Sequence, residues 1–97
     1  SFSIIDWTGY PNNLPKPNGP FRLLEGAEYQ AAREAANKAN SSLRSAHPSD
    51  YSGKQIHEIH PVKFGGSPTE PGNKIALPLH EHAVLTTFWN RFMRDMK

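Results

Sequence analysis

Two segments of the chain repeat apolar residues at the three- and four-residue spacing of an amphipathic helix. In residues 26–46 the repeated side chains are small and lie at Ala32, Ala35, Ala36, Ala39 and Leu43. After Pro78 they are larger and lie at Leu85, Phe88, Trp89, Phe92 and Met93. Proline is favoured at the first position of a helix, where its missing N–H group needs no partner. We therefore predict a helix over 26–46 and a C-terminal helix that begins at Pro78.

The segment between the two helices has the composition of a strand pair with a long connection. Residues 54–60 contain the β-branched Ile56 and Ile59, and residues 74–78 read KIALP. Residues 61–73 include three prolines and three glycines, which are typical of a loop. Residues 54–97 are therefore predicted to run strand, loop, strand, helix.

The first 25 residues combine turn-forming residues with apolar ones. Four prolines fall within the first twenty positions, and the apolar side chains are Phe2, Ile4, Ile5, Trp7 and Tyr10. This combination is typical of an extended arm that packs its aromatic residues over a core. Arm, helix and strand pair together predict a single small α+β domain, because 97 residues suffice for one domain only.

Composition limits the chemistry that is available to this domain. Cysteine is absent, so a disulfide framework and thiolate metal ligands are excluded, and a metal ion would need His, Asp, Glu or Asn. The formal charge of +2 is only mildly basic. No apolar run approaches the ~20 residues that cross a bilayer, so we expect no membrane segment. The chain begins at Ser1 within a patterned segment, and we expect it to be a piece of a longer protein.

The densest group of metal-binding side chains is His57, Glu58 and His60, in the segment QIHEIHPVKFGG at 55–66. It has a superficial likeness to the HExxH helix of zinc proteases, whose two histidines lie four residues apart on one helix face. Here they are three apart, and Pro61 disfavours a helical conformation at His60. The segment is therefore interpreted as the end of a strand and not as a zinc-protease helix.

The segments QIHEIHPVKFGG and NKIALPLHEH, which lie within residues 55–93, resemble the HNH/endonuclease VII nuclease superfamily. More closely, they are similar to the nuclease modules at the C-termini of bacterial polymorphic toxins and to colicin-type DNases. The upstream segment GPFRLLEGAEYQAAREAANKAN is similar to the start of such modules. The resemblance implies a ββα-metal core over 54–97, in which a hairpin and a helix bring a divalent metal ion to a phosphate.

Alignment on the proline and the glycine pair of the first segment implies a role for each polar residue. His57 and His82 would bind the metal ion. Glu58 stands where colicin-type DNases have the histidine that acts as general base. Asn73 stands where they have the asparagine that braces the hairpin and helps to orient the base.

Two positions depart from the family pattern. Thr86 replaces a further helix histidine, so the third protein ligand is missing, and Glu58 replaces the base histidine. Glutamate can act as a base or bind metal. His60 is the alternative base, since two-residue alternation along a strand would put it on the same face as Glu58. His80 is a reserve ligand, although on a helix it would point away from His82.

The resemblance implies a metal-dependent endonuclease toxin that hydrolyses phosphodiester bonds in DNA. Chemically suitable cations are Mg²⁺, Zn²⁺, Mn²⁺ and Ni²⁺. The cations that could contact phosphates are Lys54, Lys63, Lys74, Arg91 and Arg94. Such a module would be secreted or delivered, would act in the cytoplasm of a target cell, and would be monomeric until a cognate immunity protein binds it. Two alternatives stay open: an RNase on the same scaffold, and a catalytically degenerate binding module with an HNH-like frame.

Overall fold

The computed structural model describes residues 1–96, and the predicted α+β fold class is confirmed. The helices are α1 (Gly26–Ala46), α2 (Pro48–Tyr51) and α3 (Leu79–Asp95), and the strands are β1 (Gln55–Glu58) and β2 (Lys74–Leu77). Two 3₁₀ turns, Val62–Phe64 and Pro71–Asn73, lie in the loop between the strands. Within residues 1–96, every helix is too short or too polar to serve as a bilayer-spanning segment.

The two strands form an antiparallel pair whose register places His57 opposite Ile75 and Glu58 opposite Lys74. The first strand is shorter than the predicted segment 54–60, because the ladder includes only Gln55–Glu58. This early end has a physical cause, since the N–H and C=O groups of His60 bond to the side chain of Asn73 instead of to a strand. His60 therefore does not continue the alternation of β1.

The helices occupy the predicted segments, and one boundary needs correction. α1 covers 26–46 as predicted, and Pro48 begins the short α2, which the sequence pattern did not reveal. α3 begins at Leu79, one residue later than predicted. Pro78 has extended backbone angles (φ −57°, ψ 155°) and caps the helix, while its carbonyl accepts the N–H of His82 at 3.0 Å. β2 likewise ends one residue before this proline.

The core is an aromatic cluster to which the arm, the loop and α3 all contribute. Its buried members are Tyr10, Phe21, Phe64, Leu77, Leu85, Phe88 and Trp89. Trp7 of the arm stacks on Phe88 with ring centroids 5.9 Å apart, and backbone hydrogen bonds of 2.8 Å in both directions join Phe2 to Phe21. The predicted apolar stripe of α3 and the packing of the arm on the core are therefore confirmed.

Ile5 is an exception within the arm, because 93% of its surface is exposed. Neighbouring residues of an extended segment point to opposite sides. Ile4 packs against the core, so Ile5 faces away from it. The prediction that Ile5 anchors the arm is wrong.

The glycine pair at 65–66 allows the chain to turn back directly after β1. Gly65 has a φ of +90°, a left-handed conformation that residues with side chains rarely adopt. A Cβ atom on Gly66 would overlap the carbonyl oxygen of His60. The Gly66 N–H donates to the Pro61 carbonyl at 3.0 Å, which closes the turn.

Candidate metal centre

His57 on β1 and His82 near the start of α3 lie next to each other. Their Nδ1 atoms are 3.4 Å apart, and their ring centroids are separated by 5.4 Å. His82 reaches this position because α3 begins directly after β2 and contacts β1. Both side chains line one cleft, together with Glu58 and Thr86. The structure thus brings together the two residues predicted to bind a metal ion.

The separation of the two nitrogen atoms suits a divalent metal ion. A tetrahedral ion with metal–nitrogen bonds of about 2.1 Å requires its nitrogen ligands to be about 3.4 Å apart. The Nδ1 atoms of His57 and His82 already have this separation. Among the cations considered above, imidazole nitrogen favours Zn²⁺ and Ni²⁺. The pair therefore fits half of the ligand set of a four-coordinate transition-metal ion.

Residues 1–96 contain no group of three histidine, aspartate or glutamate side chains that would complete a metal site. Thr86 follows His82 by four residues on the same helix face and lines the cleft, so the position of the missing histidine does face the candidate centre. A catalytic metal ion keeps open positions for water and substrate. Two protein ligands would leave two such positions on a four-coordinate ion.

Burial is the main reason why the pKa of His57 lies below its ordinary value of 6.5. The neighbouring His82 and, more weakly, Arg33 lower the pKa further, whereas Glu58 acts in the opposite direction. A neutral imidazole is the form that binds a metal ion. His57 is therefore in the metal-binding form at neutral pH.

We expect the metal-free protein to lose stability as the pH falls below about 6.5. The unfolded chain protonates His57 near the ordinary pKa of 6.5, whereas the folded chain, with its lowered pKa, does so only at more acidic pH. Between those two values the unfolded state binds more protons, so acidification favours unfolding. The free energy of unfolding, measured in urea at pH 7 and at pH 5, should therefore change less in His57→Gln than in wild type. Equal pH dependences in wild type and His57→Gln would contradict this account.

Glu58 is buried at the centre of an ion network. Its Oε1 accepts two hydrogen bonds of 3.3 Å from the guanidinium group of Arg33. Its Oε2 accepts hydrogen bonds from Lys74 Nζ at 3.1 Å and from Asn40 Nδ2 at 3.4 Å. The network joins α1, β1 and β2 beside the histidine pair. Glu58 lines the cleft, but both of its oxygens already accept hydrogen bonds from the protein.

His60, the alternative base, lies outside the cleft that the two candidate metal ligands line. Its Nε2–H group donates to the Phe64 carbonyl at 2.9 Å, and its ring packs on Phe21 with centroids 4.7 Å apart. The prediction that His60 shares a strand face with Glu58 is wrong, because β1 ends at Glu58 and the chain then turns. His60 belongs with the loop and the core.

Asn73 braces the loop that connects the strands. Its Oδ1 accepts the His60 N–H at 2.8 Å, and its Nδ2 donates to the carbonyls of His60 at 3.0 Å and Ser67 at 2.9 Å. Its own carbonyl accepts the Ile59 N–H at 2.9 Å. This is the bracing position that the resemblance implied. Asn73 is not among the residues that line the cleft.

We expect Asn73→Ala to lower the free energy of unfolding by about 2 kcal/mol, because it leaves backbone groups of His60 and Ser67 without partners. Urea denaturation measures this change. The matched control is Asn90→Ala, which removes an exposed asparagine and should cost less than about 0.5 kcal/mol. Equal losses in the two variants would show that Asn73 does not brace the loop.

The cleft has a volume of about 270 Å³, and α1 supplies a wall that the sequence interpretation missed. Tyr29 and Arg33 of this helix line it, together with Lys63 and Asn90. Tyr29, Arg33 and Asn37 follow one another at four-residue spacing, and Arg33 Nε donates to Asn37 Oδ1 at 3.4 Å. This row of polar residues on one face of α1 is the sequence feature that could have indicated a wall of the cleft. Only the fold shows that the row faces β1.

Apart from Lys63, the other candidates predicted from the sequence do not line the cleft. His80 is exposed and lines a different cavity, so it does not serve as a reserve ligand beside His82. Lys74 is committed to the buried network, and Arg91 donates to the Thr8 carbonyl at 2.8 Å. Lys63 does line the cleft.

Comparison with known proteins gave no match to a protein-family model, to a curated protein or to a solved structure.

Proposed function

We propose that the domain is a metal-dependent nuclease that hydrolyses phosphodiester bonds in DNA. The observation that carries the proposal is the 3.4 Å separation of the Nδ1 atoms of His57 and His82 within one cleft. One histidine lies on the first strand of a hairpin and the other on the helix that follows the second strand. This is the arrangement expected of the ββα-metal core that the sequence resembles.

The charges at the cleft favour a phosphate group. Arg33 and Lys63 line the cleft, and Glu58 is the carboxylate beside them. The buried ammonium group of Lys74, whose side chain is only 1% exposed, pairs with Glu58 and neutralises its negative charge. A phosphodiester in the cleft would therefore meet two cations that attract and orient it.

When bound, a divalent cation supplies Lewis acidity toward the phosphate and charge stabilisation of the leaving oxygen. The protein holds the two imidazoles of His57 and His82 at the required spacing and orients the substrate. A guanidinium group has five N–H donors, so Arg33, which contacts Glu58 in the absence of substrate, can move to bond a phosphate oxygen. Lys63 adds a second cationic donor at the same wall.

For the group that accepts a proton from water, the geometry favours Glu58 over His60. Glu58 lines the cleft, whereas His60 does not. Arg33 is the more accessible partner of Glu58, with 34% of its side chain exposed. Transfer of the Arg33 guanidinium to a phosphate would free Oε1 of Glu58, while Lys74 would keep holding Oε2.

A catalytically degenerate binding module is the second candidate function. It is favoured by the lack of a third histidine, aspartate or glutamate ligand within residues 1–96. The engagement of both Glu58 oxygens also favours it. Such a module would bind metal and nucleic acid but would not cut.

We also propose that the domain is a toxin module, secreted or delivered, that acts in the cytoplasm of a target cell. In the producing cell, a cognate immunity protein would bind it and keep it inactive. This part of the proposal rests on the resemblance of residues 55–93 to polymorphic-toxin and colicin-type nucleases. The free module is expected to be a monomer.

The proposed function is tested by incubating the purified protein with supercoiled plasmid and, separately, with tRNA. Each reaction contains Mg²⁺, Mn²⁺, Zn²⁺ or Ni²⁺, and a parallel reaction contains EDTA. We expect the wild type to nick the plasmid with at least one cation, EDTA to stop it, and His57→Ala to be inactive. Cleavage of tRNA alone would identify an RNase. Metal binding without cleavage of either substrate would contradict the nuclease and support the binding module.

A further inference from the structure

A second cavity of about 390 Å³, which we call the side pocket, shares lining residues with the cleft beside the histidine pair. The residues that line both cavities are Tyr29, Pro61, Lys63, Trp89 and Asn90. Phe64 and Met93 line the side pocket only. The volume falls within the range of small-molecule pockets, roughly 300–1,000 Å³. Because of the shared wall, a group in the side pocket would be adjacent to a phosphate at the candidate metal centre.

We propose that the side pocket holds an unpaired nucleobase next to the phosphate that is cut, so that the preferred substrate is single-stranded nucleic acid. This inference rests on the proposed nuclease function and names the form of its substrate. In an intact duplex the faces of the bases are covered by stacking, so a pocket can enclose a base only after it has left the stack. The residues of the side pocket offer aromatic surface, a cation and the exposed amide of Asn90.

Tyr29 and Lys63 form the wall that is shared with the metal cleft. The Lys63 ammonium lies 4.3 Å from the centroid of the Tyr29 ring. Within residues 1–96, Lys63 forms no ion pair with an acidic side chain. Its side chain is long and flexible, so the ammonium can move to a backbone phosphate while a base takes its place over the ring. Stacking on an aromatic ring is how proteins hold unpaired bases of any sequence.

Trp89 and Asn90 lie at the same wall. Trp89 belongs to the core, with only 6% of its surface exposed. Asn90 next to it is exposed and can both donate and accept. The edge of a nucleobase carries matching acceptors and donors.

The proposal is tested by fluorescence anisotropy in EDTA, with a labelled oligonucleotide of about ten nucleotides as a single strand and as a duplex of the same sequence. We expect the wild type to bind the single strand more tightly than the duplex. Tyr29→Ala should weaken single-strand binding about tenfold, because one stacking surface is lost. Tyr29→Phe keeps the ring and should bind like wild type. The control Tyr51→Ala removes a half-buried tyrosine that lines neither cavity, and it should leave binding unchanged.

Lys63→Gln is a second variant in the wall shared by the two cavities, and it leaves the aromatic ring of Tyr29 in place. It should lower single-strand affinity and reduce the slope of log affinity against log salt by about one, because one phosphate contact disappears. Equal wild-type affinity for single strand and duplex, or unchanged binding in both Tyr29→Ala and Lys63→Gln, would overturn the proposal. Binding in EDTA does not depend on hydrolysis. If the protein binds the single strand through Tyr29 but cuts nothing, the nuclease function is refuted. The proposal that the side pocket binds an unpaired base is then still supported.

Discussion

Co²⁺ binding is expected to weaken at least about 100-fold in His57→Ala and in His82→Ala. Loss of a residue that merely supports a metal ligand costs roughly 10- to 100-fold in affinity, so loss of one of two protein ligands should cost no less. The two Nδ1 atoms are 3.4 Å apart, so each variant would remove half of the protein's contribution to one site. Titration with Co²⁺, followed by visible absorption and by calorimetry, measures the affinity.

The control for this experiment is His80→Ala on the same helix. His80 is exposed and lines another cavity, so its removal should leave Co²⁺ affinity within about twofold of wild type. Wild-type affinity in either His57→Ala or His82→Ala would show that the pair does not bind the ion. A greater loss in His80→Ala than in the paired variants would place the ion elsewhere.

A loss of about 3–5 kcal/mol in the free energy of unfolding is expected from Glu58→Gln. The variant removes the carboxylate that faces Lys74 across the hairpin and leaves a lysine side chain that is 1% exposed without its counter-ion. It also weakens the contact of Arg33, which ties α1 to β1. Urea denaturation followed by circular dichroism measures the change.

Glu28→Gln is the matched control for Glu58→Gln. Glu28 pairs with Arg22 at 2.7 Å, but both side chains are 56% exposed, so solvent screens the pair and the same change should cost far less than Glu58→Gln. The double variant Glu58→Gln/Lys74→Met should recover part of the stability, since it also removes the buried ammonium charge that has lost its counter-ion. If Glu58→Gln costs no more than Glu28→Gln, Glu58 is not held in a buried ion network.

Local signals explain what could be predicted from the sequence. The spacing of Leu85, Phe88 and Trp89 reveals the buried face of α3, because helical periodicity is a property of neighbouring residues. The pairing of His57 with His82 was implied by the resemblance of residues 55–93 and not by local spacing.

Distant contacts explain what could not be predicted. Glu58 looks like an accessible base on a strand, but its partners Arg33 and Lys74 lie 25 and 16 residues away in the chain. His60 leaves the strand because Asn73, 13 residues away, binds both of its backbone groups. Neither contact leaves a periodic pattern, so the alternation rule placed His60 on the wrong face.

The wall of the cleft was missed for a related reason. Tyr29 and Arg33 lie on the helix that is predicted from its alanine stripe, and neither residue belongs to that stripe. A helix can bury one face and present another to a site, and the sequence does not say which neighbouring element the second face meets. The packing of α1 on the loop after β1 decides this.

We propose that His57 and His82 hold one metal ion that the protein uses to cut DNA. The most direct test is the rate of plasmid cleavage by wild type, by His57→Ala, by His82→Ala and by the double variant, with the cation that supports the highest wild-type rate. If the histidines act as one unit, each single variant loses activity at least about 100-fold and the double variant is no slower than the slower single variant. Wild-type rates in either single variant, or losses that multiply in the double variant, would contradict the claim.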